Sequence, residues 1–234
     1  MKRDVTYLAD LGYGSRQYRT FDRSTVVLIE FLKRKLDVKA IGRVLDLGCK
    51  QGANIYRLSQ EFPEWQFVGV DADQGAIEIC RRKNPNVEFH CADITQTNQM
   101  FPPLCFDLVL SSHVIGPEAF DLYSFVDAAL PLPKAGLVLT SLFSEKYFEE
   151  ETRPRYRENE AASAYGTDSL NRLRDYALSK NLDLTWEEIK ISQDPKPEPQ
   201  TLSISLLTTA NGDRTEINPY VGLMPRYAVH LKNS

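Results

Sequence analysis

A short apolar strand that runs into a glycine-punctuated turn is the feature that most constrains the fold of this chain. Residues 44–52 read VLDLGCKQG, with Asp46 at the end of the strand and Gly48 and Gly52 on either side of the turn. The next segment places apolar side chains at helical spacing, at Ile55, Leu58 and Phe62. A strand, a turn with two glycines and a helix, in this order, form a corner typical of α/β proteins that bind nucleotides.

Two further strand-like segments end in acidic residues. The run QFVGV leads into Asp71, nineteen residues after Gly52, and the run VEFHC is followed two residues later by Asp93. A carboxylate at the end of the second strand can accept two hydrogen bonds from the hydroxyls of a ribose. Any parallel α/β protein can place a single glycine or Asp at such a position. The combination of glycines and acidic residues in register with three strands is what indicates a ligand site.

Strands and helices alternate along the first part of the chain. The predicted order is helix 25–36, strand 43–47, helix 53–62, strand 66–70, helix 74–83, strand 87–91, strand 106–111, helix 119–130 and strand 136–141. Asp73 precedes one of these helices and is placed to cap it. Repeated βαβ units imply a parallel sheet with its ligand in the crevice at the carboxyl ends of the strands.

The alternation breaks after the fifth strand. Residues 142–166 are charged and aromatic, and they form a connection longer than the roughly 12–15 residues usual for a loop without a function. A helix and two strand-like runs follow, at 167–180, 182–191 and 201–209. Residues 211–234 cannot be assigned from their pattern alone.

The corner and the acidic residues resemble those of the class I S-adenosylmethionine (SAM)-dependent methyltransferases. In that family the first loop reads roughly Asp/Glu-x-Gly-x-Gly-x-Gly, and acidic residues follow the second and third strands. The resemblance covers Arg43 to about Thr140, with a continuation to Ala210. Lys50 stands where the family usually has its middle glycine.

The resemblance implies an α/β fold, a Rossmann-like three-layer sandwich around a mostly parallel seven-stranded sheet. The sheet would be closed by a reversed C-terminal strand pair, formed by the runs 182–191 and 201–209. It also implies a division of the chain into an N-terminal helical cap, a SAM-binding methyltransferase domain with a lid insertion, and a C-terminal tail. The corresponding residues are 1–41 for the cap, 42–210 for the domain with its lid at about 142–166, and 211–234 for the tail.

The spacing of the glycines favours SAM over a dinucleotide. A pyrophosphate needs a Gly-x-Gly-x-x-Gly turn, so that backbone N–H groups and a helix N-terminus meet its phosphates. Gly48 and Gly52 are separated by three residues and do not fit that pattern. SAM carries no phosphate, so two glycines with acidic residues for its ribose and adenine suffice.

The resemblance also implies which residues hold the cofactor. Asp71 would bind the ribose, Asp93 would accept from the adenine amino group, and Ile94 would pack beside the adenine ring. The full predicted set is Asp46, Gly48, Cys49, Gly52, Asp71, Ala72, Asp93, Ile94, Ser111 and Tyr18. Tyr18 lies in the N-terminal segment, which in the family commonly folds over bound SAM; an ordinary amphipathic helix with exposed arginines is the alternative there.

Methyl transfer from SAM is an in-line displacement, so the protein mainly has to align the nucleophile and exclude water. A general base is needed only when the nucleophile arrives protonated. His113, in the segment SSHVIGP after the fourth strand, is the predicted catalytic residue, because an unperturbed pKa near ~6.5 suits proton abstraction at neutral pH. A histidine hydrogen-bonded to the backbone of a loop is an equally good interpretation.

Composition restricts the location and the partners. The four cysteines are dispersed without a Cys-x-x-Cys pair, which favours reduced thiols over disulfides or zinc ligands and so a cytoplasmic protein without a bound metal. Nothing approaches the ~20 apolar residues that span a bilayer. The net charge of −4 makes extended contact with nucleic acid unlikely.

The sequence therefore predicts a methyltransferase that uses SAM and acts on an oxygen or nitrogen of a small-molecule acceptor. One alternative is a methyltransferase that acts on RNA or protein. Another is a SAM-binding scaffold subunit without catalytic activity, and a dehydrogenase ranks third. A homodimer is left open, and the acceptor cannot be read from the sequence.

Overall fold

A computed structural model of the protein describes residues 23–112, 114, 122–141, 169–189, 205–208, 214–217 and 226–233. Nine strands lie in this part of the chain. They are β1 (Arg43–Leu47), β2 (Gln66–Asp71), β3 (Glu88–Cys91), β4 (Leu108–Ser112), β5 (Leu137–Ser141), β6 (Leu182–Ile189), β7 (Ser205–Thr208), β8 (Arg214–Ile217) and β9 (Arg226–Asn233).

Seven of these strands form one sheet in the order β3-β2-β1-β4-β5-β9-β6. The pairs among β1 to β5 are all parallel, whereas β9 runs antiparallel to both β5 and β6. The predicted fold class is thereby confirmed: a Rossmann-like, mostly parallel seven-stranded sheet closed by a reversed C-terminal pair. The remaining strands, β7 and β8, form a separate antiparallel pair.

Helices cover both faces of the sheet. They are α1 (Arg23–Lys35), α2 (Ala53–Glu61), α3 (Gln74–Lys83), α4 (Thr97–Met100), α5 (Leu122–Ala129) and α6 (Ser169–Ser179), with a 3₁₀ turn at Ile94–Gln96. One apolar cluster joins α1, α2 and α3 to the first face, with Phe31, Leu58 and Ile77 fully buried. A second cluster joins α5 and α6 to the opposite face through Phe125 and Leu173. The two clusters make the predicted three layers.

Local patterns explain where these elements begin. Strands β1 and β2 are buried along almost their whole length because both faces of a parallel sheet are covered. Asp73 caps α3 as predicted, since its side chain accepts from the backbone N–H groups of Gly75 and Ala76. Gly52, with φ of 80°, precedes α2 and lets the chain turn from the loop into the helix.

The predicted identity of the second reversed strand is wrong. The strand beside β5 is β9, Arg226–Asn233, from the segment assigned to the tail, and not the run 201–209. That run does contain a strand, β7, but β7 pairs with the nearby β8 instead. Both runs alternate in the manner of strands, and a choice between two such runs depends on long-range pairing that a local pattern does not contain.

Candidate functional site

The turn after β1 is built from backbone conformations that favour glycine. Gly48, Lys50 and Gly52 have φ of 76°, 50° and 80°, so three of five successive residues are left-handed. Lys50 adopts this conformation although it carries a side chain. A glycine at the same position would adopt it without steric cost. A β-carbon at Gly48 would overlap the side chain of Val114, which lies against this turn from the end of β4.

The backbone N–H groups of the turn donate to the protein itself. Those of Gly48 and Cys49 donate to the carbonyl of Val70, at 2.8 and 3.1 Å, and that of Gly52 donates to the carbonyl of Cys49 at 2.8 Å. The N–H of Lys50 donates to Asp71 Oδ2 at 2.8 Å. A pyrophosphate site requires such donors to face the ligand, so this turn is not a phosphate cradle.

Asp46 is a buried carboxyl group directly beneath the turn. It is only 2% exposed, and its Oδ2 atom accepts no hydrogen bond from any described residue. Burial, with a smaller contribution from the charge of Asp71, raises the pKa of Asp46 to about 7. A buried carboxyl oxygen without a donor is costly, so the site is suited to a ligand that brings a cationic or N–H donor.

Asp71 ends β2 beside Asp46 and organises the surrounding backbone. Its two oxygens accept from the N–H groups of Lys50 and Asp73, at 2.8 and 2.9 Å. Burial raises the pKa of Asp71, and these hydrogen bonds partly offset the effect. Burial lowers the pKa of the Lys50 ammonium, although Asp71 and Asp73 pull it upward. Asp71 therefore stabilises the loop. It also lies at the position where the prediction places the ribose.

The predicted adenine-side residues follow β3 and lie at the same edge of the sheet. Asp93 is exposed, and its Oδ1 accepts from the backbone N–H and the hydroxyl of Thr95 at 2.9 and 2.7 Å. Ile94 is buried in the apolar core. Ala72 is exposed, and its carbonyl accepts from the Cys91 thiol at 3.5 Å. The predicted set thus converges at the carboxyl ends of β1, β2 and β3.

The carboxyl end of β4 supplies Ser111, the remaining predicted cofactor residue that the structure describes. Ser111 is buried, and its hydroxyl has no hydrogen-bond partner among the described residues. The side chain of Val114, three residues further on, reaches Gly48. The end of β4 is therefore adjacent to the turn after β1.

Tyr18 and His113 lie outside the described residues, as does the predicted lid at about 142–166. Neither of the other two histidines is placed for catalysis. His90 bonds the Glu88 carboxyl group at 2.7 Å and stacks edge-on against Phe101. His230 lies in β9, where its Nε2 bonds the carbonyl of Ala135 at 2.7 Å.

Two features of the site were absent from the sequence-based prediction. The first is a pair of hydroxyl groups at the ends of β4 and β5: Thr140 Oγ1 donates to Ser112 Oγ at 2.8 Å. The sequence signal that could have predicted this pair is the occurrence of polar residues at the ends of two apolar strands. The second is a thiol pair, because Cys49 hydrogen bonds to Cys80, and Cys80 donates to the carbonyl of Lys50 at 3.0 Å. The hydrogen bond with Cys80 and burial raise the pKa of Cys49.

A cavity of about 760 Å³ lies at the amino ends of β1, β2 and β3, away from this site. Several polar groups around it have partners within the protein. Arg43 and Glu88 form an ion pair at 3.6 Å, and the indole N–H of Trp65 donates to the carbonyl of Val38 at 3.1 Å. Because the chemistry-bearing residues gather at the carboxyl ends of the strands, the candidate site is placed there.

Residues 44–128 match the sequence profile of the family described as "Methyltransferase domain". The matched part holds the turn, both acidic strand ends and β4. A solved structure of the plantazolicin methyltransferase BpumL, in complex with a pentazolic desmethylPZN analog and SAH, superposes with a TM-score of 0.62 at 14% identity. It covers 98% of this chain and 94% of that one. The chain is therefore similar to methyltransferases in the sequence of residues 44–128 and in its fold.

Curated relatives of this chain are similar over part of their length. A trans-aconitate 2-methyltransferase of Methylobacterium nodulans is 33% identical over 104 residues, which are 44% of this chain and 39% of the relative. A fatty-acid O-methyltransferase of Mycolicibacterium smegmatis is 26% identical over 184 residues, 74% of this chain and 62% of the relative. The aligned regions span less than two thirds of either relative.

Two further findings concern the part of the chain that the structure describes. Within it, no helix combines the length and apolar character needed to cross a membrane. The same residues contain no group of three or more His, Cys, Asp or Glu side chains placed to hold a metal ion.

Proposed function

We propose that this chain transfers a methyl group from SAM to an oxygen of a small-molecule acceptor, and that this oxygen belongs to a carboxylate. The observation that carries the cofactor assignment is the buried Asp46 Oδ2, which has no donor in the described part of the chain and lies beneath a turn unsuited to phosphate. The carboxylate is supported by the names of the two relatives, because trans-aconitate and fatty acids both carry carboxyl groups.

The residues present fit the cofactor. Asp46 offers an acceptor for the ammonium group of the methionine part, and Gly48 and Gly52 supply the left-handed conformations that the turn above it requires. Asp71 offers the remaining lone pairs of its carboxylate to the ribose hydroxyls, and Asp93 offers Oδ2 to the adenine amino group. The other proposed contacts come from Cys49, Ala72, Ile94, Ser111 and Tyr18.

When bound, SAM supplies an electrophilic methyl group, which the acceptor oxygen takes with cleavage of the carbon–sulfur bond, leaving a methyl ester and neutral S-adenosylhomocysteine (SAH). The protein's task is to hold the acceptor in line with that bond and to keep water out. A carboxylate with a pKa near ~4 is already ionised at neutral pH. The reaction therefore requires no general base, and His113 would orient the acceptor rather than take a proton from it.

A release assay for SAH tests the proposal, with trans-aconitate, dodecanoate, phenols and amines as acceptors. We expect turnover with a carboxylic acid and a product that liberates methanol in mild base, as methyl esters do and methyl ethers and methylamines do not. His113→Ala should then retain most of the activity, whereas loss of a general base costs about 10²–10⁴-fold.

Other outcomes would identify the competing functions. A product that is stable in mild base would show that the acceptor is a phenol or an amine and not a carboxylate. Methylation of RNA or protein, with none of these small molecules consumed, would favour the macromolecular alternative. Binding of SAH measured by calorimetry without turnover on any acceptor would indicate a scaffold subunit, and binding of NADH would indicate a dehydrogenase. The cytoplasmic location and a homodimer remain part of the proposal.

A further inference from the structure

The left-handed conformation of Lys50 is held by hydrogen bonds on both sides of its α-carbon. The backbone N–H of Lys50 donates to Asp71 Oδ2 at 2.8 Å, and its carbonyl accepts from the Cys80 thiol at 3.0 Å. Because a peptide group is planar, the first bond orients the plane before the α-carbon and the second orients the plane after it. Together they fix both backbone angles of a residue whose φ of 50° is unfavourable for a side chain.

Of these two partners, Asp71 belongs to the predicted cofactor site and Cys80 does not. Cys80 lies in the second half of α3 and is 0% exposed, within the apolar cluster that joins α1, α2 and α3 to the sheet. A side chain without exposed surface can affect a ligand only through its neighbours. Its route to the cofactor is the Lys50 carbonyl, which lies in the cofactor turn.

The contact between the Cys80 thiol and the turn is shielded from solvent. Cys80 also hydrogen bonds to the thiol of Cys49, which is 5% exposed. Gly69 of β2 leaves room for this thiol pair, because a β-carbon there would lie 2.9 Å from Cys49 Sγ. Water is therefore poorly placed to replace the Cys80 donor if the thiol is removed.

We propose that Cys80 is a positioning residue for the cofactor: its thiol keeps Lys50 left-handed and thereby keeps Asp71 in place for the ribose. A glycine would adopt this conformation without steric cost, so the bond from Cys80 compensates for the side chain of Lys50. The inference rests on the proposed function, because it concerns the affinity for SAM and SAH. It differs from a purely structural role in one respect: the thiol should matter less in Lys50→Gly.

A double-mutant cycle tests the inference with Cys80→Ala, Lys50→Gly and the double variant. Cys80→Ala removes the donor, and Lys50→Gly removes the need for it. Any direct effect of the lysine charge on the ligand is present in both halves of the cycle and cancels. For each protein we would measure the dissociation constant of SAH by calorimetry and the melting temperature.

Two further variants are controls. Cys80→Ser retains a donor at the same position. Cys105→Ala makes the Ala substitution at a half-buried cysteine that precedes β4, at the opposite edge of the sheet from the turn. If Cys80→Ala does not fold, Cys80→Val takes its place in the cycle, because valine also lacks a donor but fills the space.

We expect Cys80→Ala to weaken SAH binding about fivefold in the wild-type background, the effect of one hydrogen bond. In the Lys50→Gly background the same change should weaken it less than about twofold. Cys80→Ser should stay within about twofold of the wild type, and Cys105→Ala should match it. The melting temperature should fall with Cys80→Ala in both backgrounds, because the lost packing is the same in both.

An equal loss of SAH affinity from Cys80→Ala in both backgrounds would overturn the inference, because the thiol would then act through packing and not through the conformation of Lys50. Unchanged affinity in Cys80→Ala would overturn it as well. Both outcomes leave the proposed function intact. A wild-type protein that does not bind SAH would instead overturn the cofactor assignment and this inference together.

Discussion

At the scale of single residues, two neighbouring carboxyl groups are given different properties by their surroundings. Asp46 is buried, and its Oδ2 has no donor among the residues that the structure describes, whereas Asp71 accepts two backbone hydrogen bonds. Burial therefore raises the pKa of Asp46 to about 7, while the hydrogen bonds of Asp71 counteract part of the same effect. The two Asp residues look equivalent in the sequence, but they differ in the structure. Asp46 has a pKa near neutrality, and Asp71 holds the backbone of the loop by hydrogen bonds.

The raised pKa of Asp46 predicts pH-dependent binding of SAH. If the ionised carboxylate holds the ligand's ammonium group, binding below pH 7 requires loss of the Asp46 proton. Affinity should then rise by up to about tenfold per pH unit as the pH approaches 7 from below, and should level off above it. Calorimetry from pH 5.5 to 8.5 measures this profile, and a flat profile would contradict the assigned contact.

Asp46→Asn should separate binding from stability. The folded-state pKa lies above the unfolded value of about 3.9, so the native state binds more protons between these values and Asp46 lowers stability as the pH rises through them. The variant should therefore melt at a higher temperature than the wild type at pH 8, yet bind SAH more weakly. A lower melting temperature at pH 8 would show that the carboxylate is stabilised by a group outside the described residues.

Asp71→Asn and Asp93→Asn test the roles of ribose and adenine. In Asp71→Asn an amide NH₂ would face the N–H of Lys50 or of Asp73, so loop and ribose contacts fail together and SAH affinity should fall at least about tenfold. Asp93→Asn should have a smaller effect, because Asp93 is exposed and its Oδ1 can be replaced by the amide oxygen. Should Asp93→Asn weaken binding more in the same titration, the two roles are assigned the wrong way round.

At the scale of elements, the position of β9 depends on a close approach to the start of β5. Gly136 has φ of 121°, and a β-carbon there would overlap the carbonyl of Leu231 and the ring of His230. His230 in turn bonds the carbonyl of Ala135. A glycine at this turn and a histidine on the opposite strand together allow the reversed strand to pair with β5.

His230 should make stability depend on pH. Burial lowers its pKa below 6.5, although the bond to Ala135 opposes the shift. The unfolded chain then binds more protons than the native state below pH 6.5, so this contribution to stability is lost as the pH falls. His230→Gln should flatten the dependence of melting temperature on pH between 7.5 and 5. An unchanged slope in His230→Gln would remove His230 from this role.

At the scale of the whole molecule, the sheet is continuous only because β9 fills the gap between β5 and β6. Residues 182–189 have no other described strand beside them. The C-terminal segment is therefore part of the sheet, and the apolar side chain of Leu231 is fully buried in the core shared by α5 and α6.

Truncation after residue 210 should consequently destroy the fold, whereas removal of a tail outside the sheet would leave the fold intact. It removes β9, leaves two unpaired strand edges and exposes the core around Leu231, so we expect aggregation or loss of the cooperative thermal transition. Circular dichroism and size-exclusion chromatography provide the measurement. Removal of Ser234 alone is the control, and a truncated protein that melts like the wild type would contradict the placement of β9.

Much of the architecture and the cofactor corner could be predicted from local pattern. The bounds of β1 and α3 agree with prediction, and those of the other predicted helices and of the sheet strands up to β6 differ by at most three residues. The short helix α4 was not predicted. Such elements are specified by apolar periodicity, glycine and capping residues, all of which act over a few positions. The convergence of Asp46, Asp71 and Asp93 followed from the rule that parallel strands end at the same edge.

The sequence by itself determined the strand–turn–helix corner, the parallel order of elements and the family, because these depend on neighbours along the chain. Only the tertiary structure decided that β9 and not the run 201–209 completes the sheet, that Asp46 has a buried oxygen with no donor in the described part of the chain, and that Thr140 hydrogen bonds to Ser112. Each of these depends on which residues distant in sequence become neighbours and on how much water their packing removes. Pairing register and burial are properties of the whole fold, and no local pattern carries them.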